Sequence, residues 1–310
     1  MIRILQRKAV GIRLALGCLA LATSLWAASA AIAQMAGDDP GEGKAKAKGK
    51  GKSKGEGDLI GRQGIGPEVM KAITRMQGTK EASDRGMFET GLKATFKGAN
   101  CHEVDEGWAI NYAGVAGRGS GSLHGGIDIF APRGTPVLAV AAGEVVAKYE
   151  PVTRQGNQIH LRHSPDDTGL PMWIYTQYTH LLELPELPIG ARVRMGEVIG
   201  KNAATGIGAG NRRDAVHFAV IYTSSPKYYR EDTMIVPQEG WWMDPHALYR
   251  PAPPYDSVAM KSLPASEKRI AIPYMLTDGT FVPADTKLIW PFACSTGWIN
   301  RGIPQNRSLN

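Results

Sequence analysis

From about residue 120 to 250 the chain reads as short apolar runs with period-2 alternation, broken repeatedly by glycine and proline. The clearest runs are 135–141, 143–149, 157–163, 172–179, 192–199 and 215–222, and no amphipathic helix of useful length lies between them. Parallel strands need long crossover connections, usually helical. This texture therefore disfavours a doubly wound α/β fold and predicts antiparallel pairing. Of the 310 residues 43 % are hydrophobic, enough for a packed core, so wholesale disorder is excluded.

The net charge of +7 is concentrated at the start. Arg3, Arg7, Lys8 and Arg13 precede an apolar run from Leu14 to Ala33 that offers small-residue sites at Ala28-Ser29-Ala30 and Ala31-Ile32-Ala33. Basic, apolar, then A-x-A is the order of a secretory signal peptide over 1–33, favoured over a retained membrane anchor by the richness in Ala and Ser. The expected location is the periplasm or the exterior. Residues 34–58 form a Gly/Lys-rich linker whose alternating Lys44 to Lys54 can hold an anionic polymer or a membrane surface, or serve as a solvated spacer, since nearby acids nearly cancel that charge. No aromatic-interleaved basic patch is present, which speaks against nucleic acid. A flanking segment follows at 59–119, with a short helix expected over 67–77 behind Pro67. A domain at 120–249 and a C-terminal extension at 250–310 complete the chain, the latter with a hairpin signal at Asp278-Gly279. In an oxidising compartment Cys101 and Cys294 can pair, joining the two flanks across the domain and in one arrangement holding them over it as a lid; two buried free thiols are the alternative.

Three pieces carry chemistry. In Leu123-His124-Gly125-Gly126-Ile127-Asp128 an imidazole and a carboxylate, both metal-ligand types, lie four apart. A straight strand would hold their Cα atoms about 13 Å apart, and the intervening glycines permit a bend that brings them together. In Asp214-Ala215-Val216-His217-Phe218-Ala219-Val220 the face opposite the Val216, Phe218 and Val220 stripe belongs to His217. The third piece, Tyr175 to Leu181, ends an aromatic strand on His180.

Together and in this order these pieces resemble the catalytic domain of the lysostaphin-like, or LytM-type, zinc metallopeptidases of family M23. The run H-G-G-I-D-I-F-A-P-R-G-T-P-V-L-A-V-A-A-G-E-V-V at 124–146 is similar to the family's opening motif, Y-T-H-L at 178–181 to its Tyr-x-His-Leu motif, and V-R-M-G-E-V-I-G at 193–200 to its closing hairpin. Asp244-Pro245 to Tyr249 resembles its domain ending. The resemblance implies an all-β fold, an antiparallel β sandwich with a zinc groove. It also implies a zinc held by His124, Asp128 and His217 with a fourth position open, and His180 as a proton-handling catalytic histidine. The substrate implied is peptidoglycan, cut at stem peptides or cross-bridges.

One position departs from the family pattern. Where the family has His-x-His-Phe, this chain has Ala215-Val216-His217-Phe218. Ala215 shares a strand face with His217, and a methyl group can neither accept a proton nor donate a hydrogen bond. Asp214, Arg212, Arg213, His102, His160 and His163 are candidate substitutes, whereas His246, Trp241 and Trp242 read as structural. Two functions are therefore expected from the sequence: a zinc endopeptidase of weakened activity, or a degenerate LytM-type regulator that binds cell wall or activates amidases without cutting.

Overall fold

The computed structural model describes residues 58–74, 79–105, 111–114, 123–150, 155–206 and 213–297. The leader, the Lys-rich linker through residue 57 and Arg212 lie outside the described residues. Among the described residues no helix is long and apolar enough to cross a membrane.

Among the described residues fifteen short strands dominate: β1 (Lys93–Thr95), β2 (Ile127–Phe130), β3 (Pro136–Leu138), β4 (Gly143–Tyr149), β5 (Asn157–His163), β6 (Trp173–Leu181), β7 (Arg192–Val193), β8 (Val198–Lys201), β9 (Ala215–Thr223), β10 (Tyr228–Arg230), β11 (Ile235–Pro237), β12 (Trp241–Met243), β13 (Arg269–Ala271), β14 (Tyr274–Met275) and β15 (Phe281–Val282). Helices are few: α1 (Pro67–Thr74), α2 (Thr79–Asp84), α3 (Pro165–Thr168) and α4 (Ser257–Lys261). The fold is mostly β with antiparallel sheets, as the alternation predicts. The main sheet runs β12-β9-β6-β5-β4-β7, and β2 also pairs with β9, on the half of that strand that β12 leaves.

The two faces of this sheet differ. One carries Ile129, Val216, Phe218, Tyr178, Ile159 and Leu161, all at most 1 % exposed. This face packs into the core with the β3–β8 pair, and Tyr178 Oη accepts from Val140 N at 3.1 Å. The C-terminal extension closes this side, with Leu138 N donating to Pro291 O and Ile289 N to Val140 O. The other face carries Asp128, Phe130, Ala215, His217, Ala219, Gln177, Thr179 and His160, which alternation and the ladder register put on one side.

The flanks are built into the fold. β1 and β13 pair in parallel, the one parallel pair among the named strands. Cys101 and Cys294 are joined by a disulfide with Cα atoms 4.4 Å apart, and the neighbouring Asn100 and Ser295 exchange backbone hydrogen bonds. The lid arrangement turns on residues 106–110 and 115–122, which lie outside the described residues. Among the described residues of the flank, Val104 bridges Ile129 on β2, and the backbone of His124 exchanges hydrogen bonds with Ala113 and Gly114. The start of the flank is tied elsewhere: Leu59 bridges Tyr228, and Ile60 N donates to Tyr228 O at 2.9 Å.

Most expected strands appear near their expected places, but the run 135–141 pairs only over Pro136–Leu138. The run 192–199 divides into β7 and β8, because Gly196 at φ +79 turns the chain between them. The hairpin signal at Asp278-Gly279 is realised as β14–β15.

Candidate metal centre

β2 and β9 pair so that Asp128 lies directly opposite His217. Opposed residues in an antiparallel ladder project from the same face, with Cβ atoms about 5 Å apart. This brings the carboxylate Oδ1 to 2.9 Å from His217 Nδ1. His124 precedes β2 across a bend at Gly126, and its Nε2 lies 2.9 Å from His217 Nδ1 and 3.4 Å from Asp128 Oδ1. The role of Gly126 is close approach rather than an unusual φ. A Cβ there would lie 2.4 Å from Phe218 O and 2.8 Å from His217 Nε2.

Burial pulls the His217 imidazole down to about 3, against the upward pull of its hydrogen bond with Asp128. Burial pushes the Asp128 carboxyl up, but the charge and hydrogen bond of His124, followed by those of His217, hold it well below the usual carboxylate range. The cluster thus joins a neutral imidazole at His217 to an anion at Asp128 and a second imidazole at His124. These donor types and spacings suit a small divalent cation. Tetrahedral zinc with bonds of about 2.0–2.2 Å holds its donors about 3.3–3.6 Å apart, close to the 2.9, 2.9 and 3.4 Å seen here. Among the described residues these three form the group of His, Cys, Asp or Glu able to hold a metal ion.

His180 completes the site by an irregularity. Its neighbour Thr179 pairs with His217, so simple alternation would turn the His180 ring to the core face. His180 instead has φ +65, and the β5–β6 register shifts beside it. A non-glycine residue in the left-handed region costs on the order of 1–2 kcal/mol, and here the turn brings the ring to 6.2 Å from that of His217, centroid to centroid. His180 Nδ1 donates to Thr205 O at 2.9 Å, which makes Nε2 the basic nitrogen of the neutral ring. Thr205 is held in place by donating through Oγ1 to Leu181 O and accepting there from Asn157 N. Thr179 Oγ1, buried opposite His217, has no hydrogen-bond partner among the described residues. Sequence reasoning missed Thr205, which carries no motif of its own, and missed Thr179 although it stands inside Y-T-H-L.

The candidates for replacing the absent imidazole at Ala215 are distributed as follows. His163 is buried on the core face between Ala142 O and Thr176 Oγ1. His160 is on the site's face but bonded to Gln158 Oε1 at 3.0 Å, two ladder positions from His217. His102 packs its ring on Phe292. Asp214 accepts from Arg133 at 3.2 Å. Arg213 lies nearest in the ladder: its guanidinium stacks 4.0 Å from the Phe130 ring, and Phe130 pairs with Ala215. Its Nη1 donates to Asp105 Oδ2 at 2.7 Å. His246, bonded to Asp244 and stacked on Trp290, and the fully buried Trp242 sit in the packing, as expected. Trp241 is 37 % exposed, beneath Arg85.

Comparison with known proteins finds similarity over this region. Residues 122–228 match the model of Peptidase family M23. The chain is 32 % identical over 110 residues to the cell division protein DipM of Caulobacter vibrioides, covering 36 % of this chain and 16 % of that protein. It is 30 % identical over 142 residues to lysostaphin of Staphylococcus staphylolyticus, covering 44 % of this chain and 28 % of that one. The chain therefore spans less than a third of either relative. Among solved structures, the lysostaphin catalytic domain from Staphylococcus simulans is 28 % identical, covering 34 % of this chain and 71 % of that one with a TM-score of 0.29.

Proposed function

We propose, from the match of residues 122–228 to the model of peptidase family M23, that the protein is an exported zinc metalloendopeptidase that cleaves peptide bonds of peptidoglycan, in the periplasm or outside the cell. The observation that carries the reading is the convergence of His124 Nε2, Asp128 Oδ1 and His217 Nδ1 within 3.4 Å of one another.

These three residues would hold the zinc, which when bound polarises a carbonyl oxygen and acidifies a water. Asp128 supplies the negative charge of the set, and burial keeps His217 deprotonated and able to donate its lone pair. His180, fixed through Nδ1 by Thr205 O, accepts a proton at Nε2 and returns it to the departing amine. Ala215 contributes nothing to proton transfer, which lowers the expected rate. The test is zinc content together with muropeptide release from purified sacculi. Release that depends on zinc and is lost in His180→Ala supports the proposal, and no release from fully loaded protein rejects it.

Ala215 favours a second reading, a LytM-type regulator that binds wall or an amidase partner without hydrolysis. The two separate on His124→Ala: the enzyme loses its action, whereas the regulator keeps its phenotype.

A further inference from the structure

A cavity of about 280 Å³ opens beside the outer edge of β2, the edge that Glu103 and Val104 cover. That volume falls just below the about 300–1,000 Å³ of sites for drug-sized molecules, and so suits a smaller one. The flanks build it. The chain from Glu89 into β1 forms one wall, β13 supplies Arg269, and the turn after β12 supplies Asp244 and His246. Of the lining residues only Ile127 falls within 122–228, and none of His124, Asp128, His180 and His217 takes part.

The floor is polar although it is buried: Thr90, Tyr112, Asp244 and His246 are 2, 3, 3 and 8 % exposed. Asp244 Oδ1 accepts from His246 N at 2.9 Å and from His246 Nδ1 at 3.1 Å, and Oδ2 accepts from Thr90 Oγ1. A carboxylate has about four acceptor positions, so one is left over, and with Nδ1 donating, His246 Nε2 is an acceptor as well. Tyr112 Oη spends its proton on Gly86 O at 3.0 Å, which leaves its oxygen able to accept. This end of the cavity is thus rich in acceptors and carries a negative charge.

The mouth has the opposite character. Lys93 and Arg269, both exposed, stand opposite each other where the β1–β13 ladder begins. Ladder partners project from the same face, so two cations stand side by side, and an anion between them would relieve their repulsion. Between mouth and floor, Leu92, Val104 and Ile127 give an apolar wall.

This combination selects its ligand. The acids here form no metal-ligating group, the cluster on β2 and β9 being the one among the described residues. A simple anion would meet Asp244, and a simple cation would meet Lys93 and Arg269. We infer that the cavity binds a free amino acid with an aliphatic side chain. The ammonium faces Asp244 and His246, the side chain lies against Leu92, Val104 and Ile127, and the carboxylate sits between Lys93 and Arg269, whose long stems let their charged ends come in to it.

The test is calorimetric titration of racemic leucine into the full chain. The expected result is saturable binding that weakens about tenfold or more for leucinamide, which lacks the carboxylate, and for N-acetylleucine, which lacks the ammonium. Combining Lys93→Gln with Arg269→Gln should weaken leucine as much as amidation does and make leucine and leucinamide bind alike. Amino acids also chelate zinc, and binding at the metal centre would leave that double variant indistinguishable from the parent. That outcome overturns the inference, as does the absence of leucine binding or equal binding of leucine and both derivatives; if the variant does not fold, the derivative series decides alone. The peptidase reading is judged by muropeptide release and is untouched by any of these results.

Discussion

His180 Nδ1 lies 2.9 Å from the carbonyl oxygen of Thr205, a bond that joins the end of β6 to the loop before β9 and leaves Nε2 as the basic nitrogen of the neutral ring. The His180→Ala variant is expected to lose about 10²- to 10⁴-fold in turnover, the usual contribution of a positioned acid-base group, with zinc stoichiometry unchanged. Turnover on isolated muropeptides beside metal analysis checks this, and an equal loss of both would make His180 a structural residue.

Restoring an imidazole should strengthen the site. Ala215 is 5 % exposed and faces Phe130 across the ladder, on the same side as His217. Ala215→His is expected to raise hydrolysis by up to about 10²-fold, the low end of what an acid-base group supplies, because Arg213 and Phe130 crowd the position. A purified variant no faster than the parent would show that another group already fills the role.

Gly126 should tolerate no side chain. A Cβ there meets Phe218 O at 2.4 Å and the His217 ring at 2.8 Å, and neither can retreat without disturbing the ladder. Gly126→Ala is expected to weaken zinc binding by about tenfold or more, the scale of perturbing groups that orient metal ligands. Competition with a chelator of known affinity reads it directly.

Acid should destabilise the fold through two histidines outside the candidate ligand set. Burial lowers His160 to about 3 and lowers His163 to about 4. Both folded values lie below the unfolded value near 6.5, so the unfolded chain binds more protons in the window between them. Stability is therefore full above about pH 6.5 and falls with pH toward the folded values, by at most about 1.4 kcal/mol per pH unit for each histidine. Urea unfolding at stepped pH checks the slope, and His160→Gln should flatten it.

The disulfide closes a sequence separation of 193 residues. Cys101→Ser with Cys294→Ser is expected to cost about 2–5 kcal/mol. Denaturant midpoints with and without reductant measure the loss. Catalysis in the folded fraction should survive, because the bridge lies at the Asn100–Ser295 pairing rather than among the ligands.

Much of the fold is legible in the sequence because it is local. Alternation marks β4, β5 and β9 residue for residue or nearly so, and it puts His217 on the face opposite Val216 and Phe218. The ligand set is legible because a motif carries it. What escapes has causes outside the local pattern. The turn of His180 uses a left-handed residue that is not glycine, with nothing in Y-T-H-L to announce it. Gly126 reads as a hinge, but it serves by letting two backbones approach. The β1–β13 pair joins segments with most of the chain between them. The β10–β11 hairpin hides among Pro226, Pro237 and the charged run Arg230-Glu231-Asp232, since the burial of Met234 and Ile235 depends on a sheet that those residues do not themselves form.

Asp58 and Leu59, at the outset of the described chain, are clasped to Arg162 and Tyr228. Excising the stretch that matches known peptidases would therefore leave a guanidinium buried with one carboxylate fewer and a hairpin robbed of its outer brace. In this molecule the recognisable motif is narrower than the network that braces it, which reaches back to Asp58, more than sixty residues before the first imidazole of the candidate metal centre.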